Sequence, residues 1–96
     1  MKTGIELIAE ERVEQLTKHD RSIESDVDYN SERQLSQAAY MLLAVDYEEG
    51  IDPESYPFDW SKSGCEKMIS KTYKERLIIA GALLAAELDR LNYITD

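Results

Sequence analysis

The sequence holds little of what metal and redox sites are built from: one cysteine, Cys65, and one histidine, His19, in 96 residues. A single thiol excludes an intramolecular disulfide and a two-cysteine metal knuckle. It gives no sign of an oxidising compartment, so a cytoplasmic setting is expected. Basic residues are scarce as well, with 11 Lys and Arg against 20 Asp and Glu, a net charge of −9 and an isoelectric point near 4.5. A duplex binder needs the opposite balance, because its affinity comes from neutralising phosphates. Direct nucleic-acid binding is therefore not expected, whereas an acidic mimic of nucleic acid fits the charge. Long apolar runs are missing too. The longest nearly uncharged stretch, Leu77 to Ala86, is ten residues, about half of the roughly 20 that span a bilayer. It predicts a buried helix and no membrane partner. Met1 leads into an acid-rich amphipathic segment with neither a basic region nor an apolar one, so no secretion leader is expected.

What is present reads as helix. Hydrophobic residues make up 43% of the chain and charged residues 32%, the composition of one soluble domain over residues 1–96. From Ile5 to about Lys18, Ile5, Ile8, Ala9, Val13 and Leu16 recur at three- and four-residue steps, with Glu6, Glu10, Glu11 and Glu14 opposite. Thr3 and Glu6 form a capping-box pattern at its start. Residues 19–30 lose the period and carry four acids, which predicts an ordered loop. A second helix from about Glu32 to Asp46, capped by Asn30 or Ser31, has Leu35, Ala38, Ala39, Leu42 and Val45 on its inner stripe. Residues 47–63 hold Pro53, Pro57, Gly50 and the aromatics Tyr47, Tyr56, Phe58 and Trp60, a long connection that acts either as a lid or as a core plug. A short helix over Gly64–Ile69 follows. A long helix capped by Ser70 or Thr72 then reaches about Tyr93, with Leu77, Ala80, Gly81, Leu84, Leu88 and Leu91 inside. Gly81 lies in a run of small residues and costs about 1 kcal/mol against alanine. Close helix contact explains it, either within one chain or across the axis of a homodimer or larger homo-oligomer. The expected fold is all-α: a compact bundle of three main helices plus one short helix, with a long aromatic-containing loop.

Charge is unevenly spread. Residues 1–50 carry net −7 and residues 51–96 net −2, yet within 61–76 Lys62, Lys67, Lys71, Lys74 and Arg76 outnumber Glu66 and Glu75. A cationic island at the start of a long helix suits a phosphate or carboxylate, or else balances the acidic first helix. Tyr56, Phe58 and Trp60 beside it can stack a nucleobase or plug the core. On the first helix, Glu6, Glu10 and Glu14 share a face with Glu11 beside them, and such carboxylates can converge on Mg²⁺ and substrate phosphates. Glu11-Arg12-Val13-Glu14 resembles the ExxE pair of the small all-helical MazG-type nucleoside triphosphate pyrophosphohydrolases. The second pair of that pattern is poorly matched, by Asp46 and Glu49 at a helix end or by Glu87 and Asp89. Cys65 and His19 are too far apart in sequence, with no third group in view, to read as a nucleophile and its base. His19 instead suits the negative end of the first helix.

Three stretches together carry a wider resemblance: Gly4 to Gln15 (GIELIAEERVEQ), Ser22 to Asn30 running into Gln34 to Ala39 (QLSQAA), and Tyr73 to Leu91 (YKERLIIAGALLAAELDRL). Over nearly its whole length the chain resembles a family of small helical proteins encoded by tailed phages and prophages. Where that pattern often reads His-Asp, this chain has Ser25-Asp26. The resemblance implies a phage accessory protein acting on host metabolism or defence, and it brings no assigned catalytic activity. If Glu11, Arg12, Gln15, Asp26, Tyr29, Arg76 and Glu87 converge, they line a polar pocket between the first and last helices or form a structural network there. The leading expectation is a non-enzymatic, anti-defence binding protein. It would sequester a host nucleotide-derived signal or block a host protein, with Lys71, Lys74 and Arg76 for the anion, Trp60 or Tyr56 for the ring, and Arg12 and Tyr29 as further ligand-binding positions. No cofactor is expected; Mg²⁺ on Glu10, Glu11 and Glu14 belongs to the pyrophosphohydrolase alternative.

Overall fold

The computed structural model describes residues 1–18, 22–47 and 55–95. Among these residues there are five helices and no strand: α1 (Gly4–Lys18), α2 (Ile23–Tyr29), α3 (Gln34–Ala44), α4 (Lys62–Ile69) and α5 (Tyr73–Thr95). The long α5 is the axis of the molecule. α1, α2 and α3 each pack on it, and α4 packs on α3. The result is an all-α bundle of three main helices, with a radius of gyration of 13.1 Å, as a compact chain of about 100 residues gives. Among the described residues no helix is long and apolar enough to cross a membrane.

Local signals set the helix starts. The Thr3 N–H donates to Glu6 Oε1 (3.0 Å) and the Glu6 N–H donates to Thr3 Oγ1 (3.2 Å), the reciprocal box expected there. These bonds, that from the Thr3 backbone first, hold the Glu6 carboxyl below the ordinary carboxylate range. At α5, Thr72 Oγ1 accepts the Glu75 N–H (3.2 Å) and donates to Glu75 Oε1 (2.8 Å), so Thr72 and not Ser70 is the cap. Ser61 Oγ accepts the Gly64 N–H (3.1 Å), which starts α4 at Lys62, two residues before the expected Gly64.

Between α1 and α3 two expectations are corrected. Residues 23–29 form a helix, where the sequence suggested a loop. Ser22 and Ser25 cap each other reciprocally at its start, and its inner positions are held by Asp26 and, at the C-cap, Asn30. Polar residues on the buried side leave no apolar period to read. The second main helix starts at Gln34, because Asn30 and Ser31 do not cap it. The chain enters through Arg33 in the left-handed region (φ 64°). Gln34 holds that entry: its Oε1 accepts the Glu32 N–H (2.7 Å) and its Nε2 donates to the carbonyls of Tyr29 (3.2 Å) and Phe58 (3.4 Å).

The core joins Leu35, Ala38, Ala39, Met41 and Leu42 of α3 to Cys65 of α4 and to Ala80, Leu83 and Ala86 of α5. Alanines on both α3 and α5 let the two helices approach closely. The inner stripe of α5 is not the leucine stripe. Arg76, Ala80, Leu83, Glu87 and Arg90 face inward, while Leu77, Leu84, Leu88 and Leu91 are exposed. The inward charges are matched: Arg90 forks onto Glu87 (2.5 and 3.2 Å), and Arg76 forks onto Asp46 (2.7 and 3.2 Å).

Gly81 is explained within one chain. A Cβ there would stand 2.5 Å from Ile8 Cδ1 and 2.8 Å from Ile8 Cγ1, so α1 crosses α5 over this residue. Gly81→Ala is therefore expected to destabilise slightly, its gain in helix propensity of about 1 kcal/mol being outweighed by overpacking of 1–3 kcal/mol. In an Ile8→Ala background the same change should stabilise by about 1 kcal/mol. Urea melts of the four proteins in this double-mutant cycle check the sign reversal.

Candidate functional site

A cleft of about 630 Å³ opens between α1, α4 and α5, within the usual range for small-molecule sites. Met68, Ile79 and Leu83 give it an apolar lining. α1 contributes Glu11, Glu14 and Gln15, while Lys67 and Lys71 contribute the opposite charge from the end of α4 and the turn beyond it. Trp60 and Ser61 complete it from the connection that precedes α4.

Trp60 is held in place. Its Nε1–H donates to Asn30 Oδ1 (2.9 Å), and Asn30 Nδ2 in turn donates to Asp26 Oδ1 (2.8 Å). Asp26 is 1% exposed, and its charge, together with the stronger effect of the Glu87 hydrogen bond, holds Arg90 more firmly protonated against the cost of burial. One wall of the cleft is thus tied through α2 to the inward charges of α5. Gln15, 5% exposed, donates from Nε2 to Glu11 Oε2 (3.3 Å), while its Oε1 has no partner within the protein. Buried acceptors are nearly always satisfied, so this amide oxygen is set to receive a donor. Cys65 lines the same cleft, but its thiol is 1% exposed and is pushed up by burial and then by Glu66, which leaves it a weak nucleophile.

The expected ligand residues divide among several places. Lys71 and Trp60 meet in the cleft, joined by Lys67. Lys74 instead borders a separate apolar hollow with Leu7, Ile8 and Leu77. Arg76 is spent on structure: besides Asp46 it donates to the carbonyls of Leu42 (3.3 Å) and Lys71 (3.2 Å) and stacks over the Tyr73 ring at 5.9 Å. Arg12 is buried and bonds Asp89 (3.3 Å), with its Nε and Nη1 unpartnered within the protein. Tyr29 is exposed, and Tyr56 packs on the core. In the described part of the connection, 55–61, Gln37 donates to the Ser55 carbonyl (2.7 Å) and Tyr56 and Trp60 pack against the core as a plug does, whereas Phe58 is exposed.

The acids of α1 separate in the same way. Glu10 pairs with Lys2 (2.6 Å), whereas Glu11 and Glu14 face the cleft. Asp46, Glu87 and Asp89 are taken by Arg76, Arg90 and Arg12. Among the described residues no group of three or more His, Cys, Asp or Glu side chains could hold a metal ion. His19 and Glu49 lie outside the described residues. The polar positions expected to line one pocket or form one structural network are divided: Glu11 and Gln15 bond each other in the cleft, Arg12 bonds Asp89, Asp26 and Glu87 lie near Arg90, Arg76 bonds Asp46, and Tyr29 is exposed.

Gln15 and Lys67 are cleft residues outside the expected ligand set, although the sequence placed Gln15 among the candidate pocket positions and Lys67 in the cationic island. Ser61 and Met68 carried no signal in the sequence. Comparison of the chain with protein-family models, with curated proteins and with solved structures gives no match.

Proposed function

We propose that the protein is a phage accessory protein that captures a small nucleotide-like anion in the cleft between α1, α4 and α5, and so withholds a host-derived signal. The observation that carries this reading is the set of groups that meet in one space of ligand size: a fixed indole, two lysine donors and a buried amide oxygen acceptor without a partner within the protein, facing the carboxylates of Glu11 and Glu14. The ring lies against Trp60, the phosphates face Lys67 and Lys71, and the N–H and hydroxyl groups of the base and sugar face Gln15 and Glu11. The Lys71 ammonium stands 4.0 Å from Glu75 in an exposed pair, which holds it weakly and leaves it able to turn to a stronger anion. The resemblance to small phage proteins supplies the setting.

The test is a thermal-shift screen against linear, cyclic and ADP-ribose-derived nucleotides, with and without Mg²⁺. One nucleotide at about 100 times its Kd should stabilise the fold by about 2.7 kcal/mol whether or not Mg²⁺ is present. Lys67→Glu with Lys71→Glu should abolish the shift while helicity by circular dichroism is unchanged. A shift that survives this double change removes the reading. A shift seen only with Mg²⁺, followed by pyrophosphate release, gives the cleft to pyrophosphohydrolase chemistry on Glu11 and Glu14.

A further inference from the structure

The side of the bundle away from the cleft is apolar where water would ordinarily meet polar side chains. α1 and α5 run side by side in the same direction, since Ile8 meets Gly81 and, further along both, Arg12 meets Asp89. Glu11 and Glu14 lie on the flank of α1 that borders the cleft, with Ile79 and Leu83 on the matching flank of α5. The 100° step of a helix puts Ile5, Val13 and Leu16 on the other flank of α1, and Leu77, Leu84 and Leu88 on the other flank of α5. Because the helices are parallel, these two flanks open to one side and make one surface. Ile5 is 82% exposed, Leu88 62% and Val13 58%, and the remaining three lie between 39% and 45%. None of the six is charged.

We infer that this face joins two copies of the chain about a two-fold axis. Its exposed apolar area is on the order of 600 Å² per copy, about 1,200 Å² for a pair, which reaches the lower bound of stable specific interfaces. Each copy carries −9, which opposes pairing in general, but the six side chains add no negative charge to the contact and Lys74 at the border of the face adds a positive one. A two-fold contact places the patch on itself, so apolar side chains meet apolar side chains throughout. At one end the face reaches the hollow of about 200 Å³ lined by Leu7, Ile8, Leu77 and Ile78 and bordered by Lys74, which has room for a side chain of the second copy.

Sedimentation equilibrium of the intact chain over a concentration series tests the pairing. The expected mass is twice 11.0 kDa. Leu88→Glu and Val13→Glu, on different helices, should each weaken association by at least about 100-fold by burying unpaired like charges at the contact. Both should keep their helicity, because neither side chain is buried within one chain. Lys62→Glu on α4 is the control and should still pair. A single-chain mass at every concentration overturns the inference, as does a pair that survives both substitutions. A single chain that partitions onto phosphatidylcholine vesicles, and loses this with Leu88→Glu, gives the face to a lipid surface and equally overturns self-pairing.

Discussion

Asp46→Ala is expected to lower stability by about 3 kcal/mol, and the melting temperature by roughly 15 °C, although Asp46 lies at the end of α3 and is itself partly exposed. The reason is what the change strands. Arg76 sits 7% exposed between α3 and α5, and both of its terminal nitrogens reach Asp46. Without that carboxylate the guanidinium keeps two carbonyl acceptors and no counter-charge. A net stability of 5–15 kcal/mol is typical for a domain, so the loss is a large share of the whole. The opposite deletion should be milder. Arg76→Met leaves Asp46 with a side chain 26% exposed, which water can solvate, so the expected cost is about 1 kcal/mol. Thermal melts followed by circular dichroism separate the two variants. Equal losses would mean that the pair acts as a surface bridge and that the burial of Arg76 is immaterial.

Arg76 also shows which part of the fold could be read from sequence. α1 and α5 begin where Thr3 with Glu6 and Thr72 with Glu75 say they should, because a cap is a local interaction between residues three apart. The apolar stripe of α3, Leu35 to Leu42, is buried as its period implies. On α5 the same reasoning chose the wrong face. It assumes that leucine seeks the interior of its own chain and that charge seeks water, but here Arg76, Glu87 and Arg90 turn inward in matched pairs while Leu77, Leu84 and Leu88 turn outward. A period reports which residues share one face of a helix, and nothing in it says which face the other helices of the chain will cover. α2 was hidden for the complementary reason, its inner positions being Asp26 and Asn30. In the cleft, Trp60 and Lys71 were legible as residue types, but their meeting with Gln15 and Lys67 depends on how three helices lie together, which no spacing along one helix encodes.

Asp26→Ala is expected to act on both stability and the cleft, which Asp26 does not itself line. Asp26 is the buried residue of the seven-residue α2, accepts from Asn30 and adds negative charge near Arg90. Its removal should cost about 3 kcal/mol, from an unsatisfied Asn30 amide and a weakened set of partners for a buried arginine. A helix that short has no stability of its own to absorb the loss. The effect should then travel one step further, because Asn30 is what holds the indole nitrogen of Trp60. Trp60 is the sole tryptophan, so its emission reports the cleft directly. In the folded Asp26→Ala protein the emission should move to the red as the indole is released. Asp26→Asn keeps an acceptor for Asn30 and should show about half the loss of stability and little spectral change. If the chain from Asp26 through Asn30 to Trp60 is a single unit, Asp26→Ala and Trp60→Phe will be non-additive by about 1 kcal/mol in urea melts. Additive losses with an unchanged Trp60 spectrum would show that α2 supports the bundle without fixing the wall of the cleft.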